Sequence, residues 1–359
     1  MFRLVRTIES VRLFFEKSKI FELRENKLID IQNNGELNLN FSVSSNVQLM
    51  IDSPFFVFKI DKNGQKELYK ESFIKSFRTD KDANCILKYP YIFSLTFNHD
   101  LTKEYLSIFD IENEKYLLKT EGTFLGILFD KDRFYVTSSF SKKVTSYSLP
   151  DFTPLWQYEL GKAEYSQGSN YPPAVSKEIA SILGVYANTL WIVSDMGHLI
   201  GIESETGKCK YHLKTPINLP AEWGNWEVFI NAKKSFIDTD KGILFGLDYP
   251  NYWECDLNNP TQTYLLYNIS VTSQEHNIVP DFQGNWLGDE IFFGQNSFAQ
   301  DPSHVGIFNR KTKQITWTSR ELGEEGVFKG INKIEYADGR LYVLDRASTL
   351  YIFERESPV

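Results

Sequence analysis

The five histidines are candidates for chemistry, because a neutral imidazole binds metal ions and its ordinary pKa suits proton transfer near pH 7. They are His99, His198, His212, His276 and His304. None forms an HxH or HExxH pattern, and none has a cysteine at metal-ligand spacing. A ring-shaped fold can bring distant histidines together at its axis, but the spacing favours histidines on the surface or at strand ends. The sequence therefore predicts no metal site.

Two acidic turns imitate the start of a calcium loop. They are Asp61-Lys62-Asn63-Gly64 and Asp238-Thr239-Asp240-Lys241-Gly242. The glutamate that closes such a loop is replaced by Ser72 in the first case and by Tyr249 in the second. Hairpin turns explain both patterns, so no calcium site is predicted.

Motifs for a nucleophile or for phosphate binding are also missing from the sequence. There is no glycine-rich phosphate loop and no GxSxG, and the carboxylates are spread evenly along the chain. These observations predict no catalytic residue and no cofactor, and they favour a protein that is not an enzyme. An enzyme whose catalytic residues converge from several repeats on a central funnel would leave no linear motif, so it stays an alternative.

Charge and cysteine content limit the partners of the chain. The formal net charge is −8 and the pI is about 5.4, so the long-range field repels nucleic acid and anionic membranes. Cys85, Cys209 and Cys255 are an odd number of cysteines at wide spacing, which favours free thiols. Arg3 and Arg6 interrupt any apolar signal core near the first residue, and no apolar run approaches the length of a membrane span. We therefore expect a cytoplasmic protein with no membrane contact.

The stretch from Leu190 to Tyr211 is the clearest copy of a repeat. Leu190 to Val193 is β-branched and aromatic, Asp195-Met196-Gly197 is a tight turn, and Leu199 to Glu203 alternates apolar with small or polar residues. Thr206-Gly207 makes a second turn before a third short strand. Three such strands cannot bury both faces of so small a sheet, so the unit must stack against neighbours.

Similar units recur along the whole chain. Their second strands are predicted to begin at Lys19, Phe55, Tyr91, Arg133, Thr189, Gly242, Glu290 and Arg340. The mean spacing is about 46 residues, which is typical of a propeller blade. The sequence thus predicts an all-β fold, a β-propeller of eight four-stranded blades, as a single domain over residues 1–359. Seven blades is the alternative, because the first two copies are short.

Ring closure is predicted from the two ends of the chain. Phe2 to Thr7 forms a strand with no hairpin partner, and the last repeat lacks a fourth strand. We expect this N-terminal strand to pair with the C-terminal blade, which removes exposed sheet edges. A solenoid is less favoured, because terminal caps are missing. Ala174 to Leu183 is the one notable helix-like stretch, and it can also be interpreted as a loop leading into a strand.

Several turns between the third and fourth strands share a spacing to a later apolar residue. They are Thr206-Gly207 with Tyr211, Thr312-Lys313 with Trp317, the shortened Asp151-Phe152-Thr153 with Trp156, and the degenerate Asn34-Gly35 with Leu39. These turns resemble the tryptophan-docking motif of the PQQ-like (quinoprotein) propellers, in which a Thr-Gly turn is followed, four residues after the Gly, by a Trp that stacks between blades. The resemblance implies the propeller architecture. It implies no active site, because the vicinal Cys-Cys pair of the quinoprotein dehydrogenases is missing.

Three connections between blades are longer and richer in aromatic residues than a hairpin loop requires. Their candidate binding residues are Tyr165, Tyr171, Trp223, Trp226, His276, Phe282 and Trp286. Because all three connections join a last strand to the next first strand, we expect them on one face near the ring axis. Tyrosine and tryptophan on Gly- and Asn-containing loops offer large contact area with few rotatable bonds. Sealing of the loops against the blades would explain the same residues. The turn that carries Tyr249, Tyr252 and Trp253 is expected on the opposite face with a structural role.

These observations favour a non-catalytic, protein-binding propeller. The concrete version is a bacterial immunity protein that neutralises a cognate toxin, suggested by the acidic charge and the aromatic loops. A propeller enzyme, or a small-molecule or carbohydrate binder that uses the central funnel, is one alternative. An assembly scaffold like the envelope-assembly members of the PQQ-like group is another.

Overall fold

Alternating apolar residues form the short strands of this chain, and Thr189–Ser194 illustrates why they need neighbours on both sides. All of its side chains are buried. Leu190 and Ile192 pack toward the preceding repeat, whereas Trp191 and Val193 pack toward the following one. Since successive side chains of a strand point to opposite faces, a strand that is buried throughout lies between two other sheets.

The computed structural model describes residues 2–9, 12–16, 19–24, 26–33, 35–41, 48–52, 54–59, 64–79, 84–97, 104–121, 126–137, 142–160, 179–195, 197–214, 216–218, 234–295 and 302–356. The first strands in chain order are β1 Phe2–Ile8, β2 Arg12–Glu16, β3 Lys19–Arg24, β4 Lys27–Asp30, β5 Glu36–Asn38, β6 Gln48–Asp52, β7 Phe55–Lys59, β8 Gln65–Tyr69, β9 Phe73–Arg78, β10 Asn84–Lys88, β11 Tyr91–Phe97, β12 Glu104–Asp110, β13 Lys115–Glu121, β14 Gly126–Asp130, β15 Arg133–Thr137, β16 Lys143–Ser148 and β17 Pro154–Glu159. The remaining strands are β18 Ile179–Tyr186, β19 Thr189–Ser194, β20 Leu199–Glu203, β21 Cys209–Leu213, β22 Ser235–Asp238, β23 Ile243–Asp248, β24 Asn251–Asp256, β25 Leu265–Asn268, β26 Phe282–Leu287, β27 Glu290–Gln295, β28 His304–Asn309, β29 Gln314–Thr318, β30 Ile331–Ala337, β31 Arg340–Asp345 and β32 Leu350–Arg355.

These strands form eight four-stranded antiparallel sheets, the blades of a β-propeller. Blade 1 is β2 to β5, and each later group of four consecutive strands forms the next blade, up to blade 7, β26 to β29. Blade 8 consists of β30, β31, β32 and β1. The first strand of each sheet is the inner strand, where neighbouring blades contact each other, and the fourth is the outer strand. The predicted eight-bladed fold is confirmed, and seven of the eight predicted second-strand starts agree with the structure. The exception is β23, which begins at Ile243 rather than Gly242.

The ring is closed by β1, as predicted. It pairs with β32 from Phe2 opposite Arg355 to Ile8 opposite Leu350. A hydrogen bond of 2.9 Å from Gln32 Nε2 to Asp338 Oδ2 joins blade 1 to blade 8 at the same junction. The first and last blades are therefore neighbours in space.

The apolar core is divided among the junctions between blades. Eight clusters of buried side chains occur in the described residues, and each draws its members from two neighbouring blades. The cluster at the closure, for example, combines Ile20 and Ile31 of blade 1 with Tyr342 and Ile352 of blade 8. No blade has a complete core of its own.

Among the described residues the helical segments are short, one in the turn between β24 and β25 and two in connections between blades. They are α1 Pro260–Thr263, α2 Ser270–Glu275 and a 3-10 helix over Ser319–Gly326. Of the predicted helix-like stretch from Ala174 to Leu183, the described part belongs to β18, so the strand interpretation is correct there. Among the described residues, no helix is long and apolar enough to cross a membrane.

Hydrogen bonds between loops define two faces of the ring. On the first, which we call the loop face, the turns between second and third strands contact the connections between blades. The hydrogen bonds there are Tyr249 N to Pro280 O (3.4 Å), Ser303 N to Phe328 O (3.2 Å) and Arg346 N to Gly330 O (3.2 Å). On the second, the turn face, the other two turns of each blade meet, through Leu149 N to Asp132 O (2.6 Å), Ser204 N to Asn188 O (2.8 Å) and Arg310 N to Asp289 O (2.7 Å).

Phe2 provides a test of the closure. Its side chain is buried, with its ring centroid 4.9 Å from that of Trp317 and 6.2 Å from that of Tyr336. We expect Phe2→Ala to lower the free energy of unfolding by about 3 kcal/mol, because it leaves a cavity at this junction. Val5→Ala, at an exposed position of the same strand, should change it by less than about 0.5 kcal/mol. Urea unfolding of the three proteins measures the difference, and equal stability of the two variants would contradict closure by β1.

Candidate functional site

The connection between blades 6 and 7 presents an apolar side chain on the loop face. Helix α2 is anchored there by Thr272, whose buried Oγ1 accepts a hydrogen bond of 2.9 Å from Ile315 N in the next blade. Ser273, also buried, donates its hydroxyl to Ile278 O. With this side of the helix held inward, Val271 is 69 % exposed. Its exposure is a consequence of how α2 is fixed.

The connection between blades 7 and 8 is built in a similar way. The Ser319 hydroxyl donates to Gly326 O at 2.7 Å, and the His304 ring nitrogen Nδ1 lies 3.0 Å from the same oxygen. Phe328 is buried against Tyr351, with the ring centroids 5.0 Å apart. The residue between these anchors, Val327, is exposed.

Exposed carboxylates lie close in sequence to the exposed apolar residues. Glu324 and Glu325 are exposed in the 3-10 helix, and Glu275 is exposed at the end of α2. Within the described part of the chain, Glu324 and Glu325 form no ion pair. Tyr249 is also exposed on this face, in the turn that touches Pro280. Apolar side chains among unpaired carboxylates suit contact with a protein surface that is apolar and basic.

A pair of histidines lies in blade 5, where its second-to-third-strand turn meets its outer strand. His198 Nδ1 and His212 Nε2 are 3.1 Å apart, and His198 is 8 % exposed. Burial lowers the pKa of His198, the nearby His212 and Lys214 lower it further and Asp195 raises it, and the result is a pKa of about 4. Burial, together with Lys214, also lowers the pKa of His212. Both rings are therefore neutral at pH 7 and can share one hydrogen bond.

The sequence predicts histidines on the surface or at strand ends. His198, directly before β20, and His304, the first residue of β28, do lie at the starts of strands, but both are buried. His99 lies outside the described residues. The described residues contain no group of three or more His, Cys, Asp or Glu side chains that could hold a metal ion. The histidine pair is thus a neutral hydrogen-bonded unit of the core.

The predicted binding residues fall into two groups. Tyr165, Tyr171, Trp223 and Trp226 lie outside the described residues. His276 is half-buried at the end of α2, on the loop face, and Phe282 is the first residue of β26.

Trp286 does not lie in a loop, as the sequence suggested, but near the turn-face end of β26. Its ring meets Phe245 of blade 6 edge to face, with centroids 5.4 Å apart, and the Arg310 guanidinium lies 5.8 Å from its centroid. The loop prediction was wrong because Gly284 and Asn285 imitate a turn. A Cβ at Gly284 would come within 2.7 Å of Ile334 in blade 8, so glycine allows two inner strands to approach closely.

Asn285 likewise has a role in the inner strand. Its side chain donates to Tyr336 O and accepts from Tyr336 N, both at 2.7 Å. The same amide nitrogen donates to Glu335 at 2.8 Å, and burial raises the pKa of that carboxyl. These bonds join the inner strands of blades 7 and 8.

The turn at Tyr249 corrects a second expectation. It lies on the loop face rather than on the opposite one, because Tyr249 N donates to Pro280 O of the connection between blades. Tyr252 and Trp253 are buried in β24, which agrees with the structural role predicted for them.

Three of the four predicted docking positions, Trp156, Tyr211 and Trp317, share one register, which we call the docking row. In each blade the row contains the third residue of the second strand, the residue that pairs with it in the third strand, and the residue of the fourth strand that pairs with that one. The rows are Tyr135, Ser146 and Trp156 in blade 4, Trp191, Gly201 and Tyr211 in blade 5, and Phe292, Ile307 and Trp317 in blade 7. In each case the residue four positions earlier has a left-handed backbone, with φ of 55° at Phe152, 72° at Gly207 and 60° at Lys313.

Blade 3 has the same arrangement, which the sequence did not reveal. Glu114 has φ 51° and precedes Leu118 by four residues, and Leu118 completes the row of Phe93 and Ile108. Neither residue matches the Thr-Gly or Trp of the motif. The backbone geometry is thus retained where the side chains have changed.

Trp156 shows how a docking residue joins two blades. Its Nε1 donates to Ser204 O of blade 5 at 2.8 Å. A Cβ at Gly207 would lie 2.7 Å from the indole, so only glycine lets the turn lie flat against this ring.

Solved structures share this architecture. BamB from Moraxella catarrhalis, a PQQ-like propeller, superposes with a TM-score of 0.60 and 12 % identity over 100 % of this chain and 99 % of that one. At the level of the fold, the chain resembles the PQQ-like propellers. The computationally designed Ika8 protein gives a TM-score of 0.59 with 11 % identity, over 96 % of this chain and 95 % of that one. The C-terminal WD40 domain of Sif2 gives 0.57 with 12 % identity, over 99 % of each chain. No protein-family model and no curated protein sequence matches the chain.

The histidine pair predicts an acid-sensitive fold. Above pH 6.5 both the folded and the unfolded chain hold these histidines neutral, so they add no pH dependence. Between pH 6.5 and about 4 the unfolded chain binds protons that the folded His198 does not, and the free energy of unfolding falls. The loss is at most about 1.4 kcal/mol per pH unit for each histidine.

Urea unfolding of the wild type and of His198→Gln at pH 7.5 and pH 5.0 measures this effect. The variant should lose less stability than the wild type on acidification, while His304, with a pKa also lowered by burial, contributes equally to both proteins. The same loss in both proteins would contradict a neutral, buried His198.

Proposed function

We propose that this chain is a protein-binding propeller that contacts its partner through the loop face. The observation that carries the proposal is the exposure of Val271, at 69 %, in a connection whose other side is anchored in the core. Val327 repeats the arrangement one blade further, and Tyr249 lies beside the first connection. An aliphatic side chain held in water by a fixed backbone gains free energy when a partner covers it.

The charge of this face defines the partner's chemistry. Glu275, Glu324 and Glu325 are exposed and close in sequence to the apolar residues, and the whole chain carries a net charge of −8. A basic partner is attracted over long range by this field and positioned by the carboxylates at the edge of the contact. The apolar residues at the centre then supply most of the binding energy.

The finer hypothesis is that the partner is a toxin and that the chain is a bacterial immunity protein acting in the cytoplasm. An acidic surface that captures a basic toxin at high rate would support this role, because electrostatic attraction raises the association rate above that of neutral surfaces. The aromatic residues Tyr165, Tyr171, Trp223 and Trp226 belong to the same set of connections in the sequence and are candidates for further contacts.

Substitution of the loop face tests the proposal. We expect the double variant Val271→Asp and Val327→Asp to bind the partner about tenfold more weakly or worse, because it buries two unpaired charges at the contact. Leu287→Asp is the matched control, since Leu287 is 56 % exposed at the turn-face end of β26. Its affinity should stay within about twofold of the wild type.

The partner is first captured from the source cell with the wild-type chain, purified and titrated against all three proteins by calorimetry. Equal affinity for the wild type and the double variant, or equal loss in the Leu287→Asp control, would reject the loop face. For the finer hypothesis, the purified partner must inhibit growth of cells that lack this chain, and the chain must restore growth. A harmless partner would leave the binding role and reject the immunity role.

A further inference from the structure

The junction between blades 1 and 2 contains a cleft that opens on the turn face. Its volume is about 380 Å³. Phe21, which is buried, and Phe56, which is half-buried, form its floor, and their rings meet edge to face with centroids 5.5 Å apart. Lys19, Asp30 and Glu71 are among the polar residues at its rim.

The cleft lies in the docking row of blade 1. Phe21 is the third residue of β3 and pairs with Asp30, whose backbone nitrogen donates to Gly35 O at 2.8 Å. Gly35 therefore occupies the position that Trp156, Tyr211 and Trp317 occupy in their blades. The sequence had suggested that Gly35 is the glycine of the docking turn, with Leu39 as the docking residue, and the register shows otherwise.

No backbone requirement explains a glycine at this position. Gly35 does not have a left-handed φ, and a Cβ added to it would meet only Asp30 Cβ, at an ordinary distance of 3.8 Å. The space that a docking side chain fills elsewhere is open here.

Blade 2 also contributes to the opening. In blade 5, the turn that covers the docking residue Trp156 of blade 4 is closed by a hydrogen bond from Glu203 N to Lys208 O. This turn contains residues 204–207. In blade 2 the corresponding bond runs from Lys70 N to Ser72 O and encloses only Glu71. The turn is three residues shorter, so it does not cover the cleft.

We propose that this cleft is an open docking socket that receives a tryptophan side chain from a partner protein. The chain itself provides the template for the occupant, because at the junction of blades 4 and 5 the same row holds an indole whose Nε1 bonds to the neighbouring turn at 2.8 Å. In the socket, Phe21 and Phe56 supply the apolar contact. The Glu71 carboxylate, in the turn of blade 2, supplies an acceptor for the indole N–H. Within the described residues, Glu71 has no hydrogen-bond or ion-pair partner.

A tryptophan suits the socket better than an aliphatic side chain for two reasons. Edge-to-face contact with two aromatic rings adds to the free energy of area burial, and the indole N–H can satisfy an acceptor at the rim. A single buried aromatic anchor of this kind often dominates the energy of a protein interface. The socket is on the opposite face from Val271 and does not depend on the loop-face proposal.

The test uses the full chain and a blocked peptide, acetyl-Gly-Trp-Gly-amide, with acetyl-Gly-Leu-Gly-amide as its control. By calorimetry, the wild type should bind the tryptophan peptide at least about tenfold more tightly than the leucine peptide. Gly35→Trp places an indole in the socket from within, so it should weaken binding by about tenfold or more and raise the melting temperature. Gly35→Ala, the matched control, should bind within about twofold of the wild type.

Failure of the wild type to bind the tryptophan peptide, or unchanged binding by Gly35→Trp, would overturn the proposal. If Gly35→Trp does not fold, nuclear Overhauser contacts from the peptide indole to the Phe21 and Phe56 rings of the wild type decide the question. Binding without these contacts would also overturn it.

Two further arms separate this socket from other sites. Free tryptophan that binds about tenfold more tightly than the blocked peptide would indicate a site for the amino acid and would overturn docking by a protein. The Val271→Asp and Val327→Asp double variant should keep wild-type affinity for the peptide. Loss of that affinity would place the peptide on the loop face and overturn the socket.

Discussion

Burial of apolar rows between neighbouring blades is the interaction on which the whole structure depends. Each blade has two apolar faces and only four strands, so neither face is covered within the blade itself. Trp191 is buried against blade 6 and Leu190 against blade 4. The same mutual burial occurs at each junction around the ring, including the closure, where Ile20 of blade 1 packs with Tyr342 of blade 8. An open array would leave two such faces in water. Closure by β1 removes both, and it makes the N-terminal strand part of the core.

The two faces of the ring serve different purposes. On the turn face, side chains tie one blade to the next, as in the bond of 2.6 Å from Arg133 to Ser204 O and the ion pair of 3.1 Å between Lys241 and Asp289. These contacts link neighbouring blades. On the loop face, hydrogen bonds of the buried residues Thr272, Ser273 and Ser319 anchor the connections between blades, which expose apolar side chains and carboxylates. The junction of blades 1 and 2 departs from this division, because Gly35 and a shortened turn leave an aromatic floor open on the turn face.

Much of the fold follows from the sequence because the repeat constrains it locally. Strand starts such as Lys19 and Arg340 were predicted to the residue, since each follows a turn whose composition is distinctive.

The placement of single side chains was harder to predict. Gly284 imitates a turn in the sequence, but it is glycine because two inner strands nearly touch. The socket was missed because the register of β5 depends on a hydrogen bond between strands, whereas the sequence shows only that Asn34-Gly35 looks like a turn. Val271 and Val327 carry no signal at all, because their exposure depends on which side of a short helix or loop the core anchors.

Amide hydrogen exchange of the N-terminal strand tests the central claim, that the ring is closed and that all eight blades fold as one unit of mutual burial. Ring closure predicts that the amides of β1 that pair with β32 exchange as slowly as those of β32 itself, because both open only when the closing blade opens. Exchange of the β1 amides at the rate of an unstructured peptide, while β32 stays protected, would contradict it.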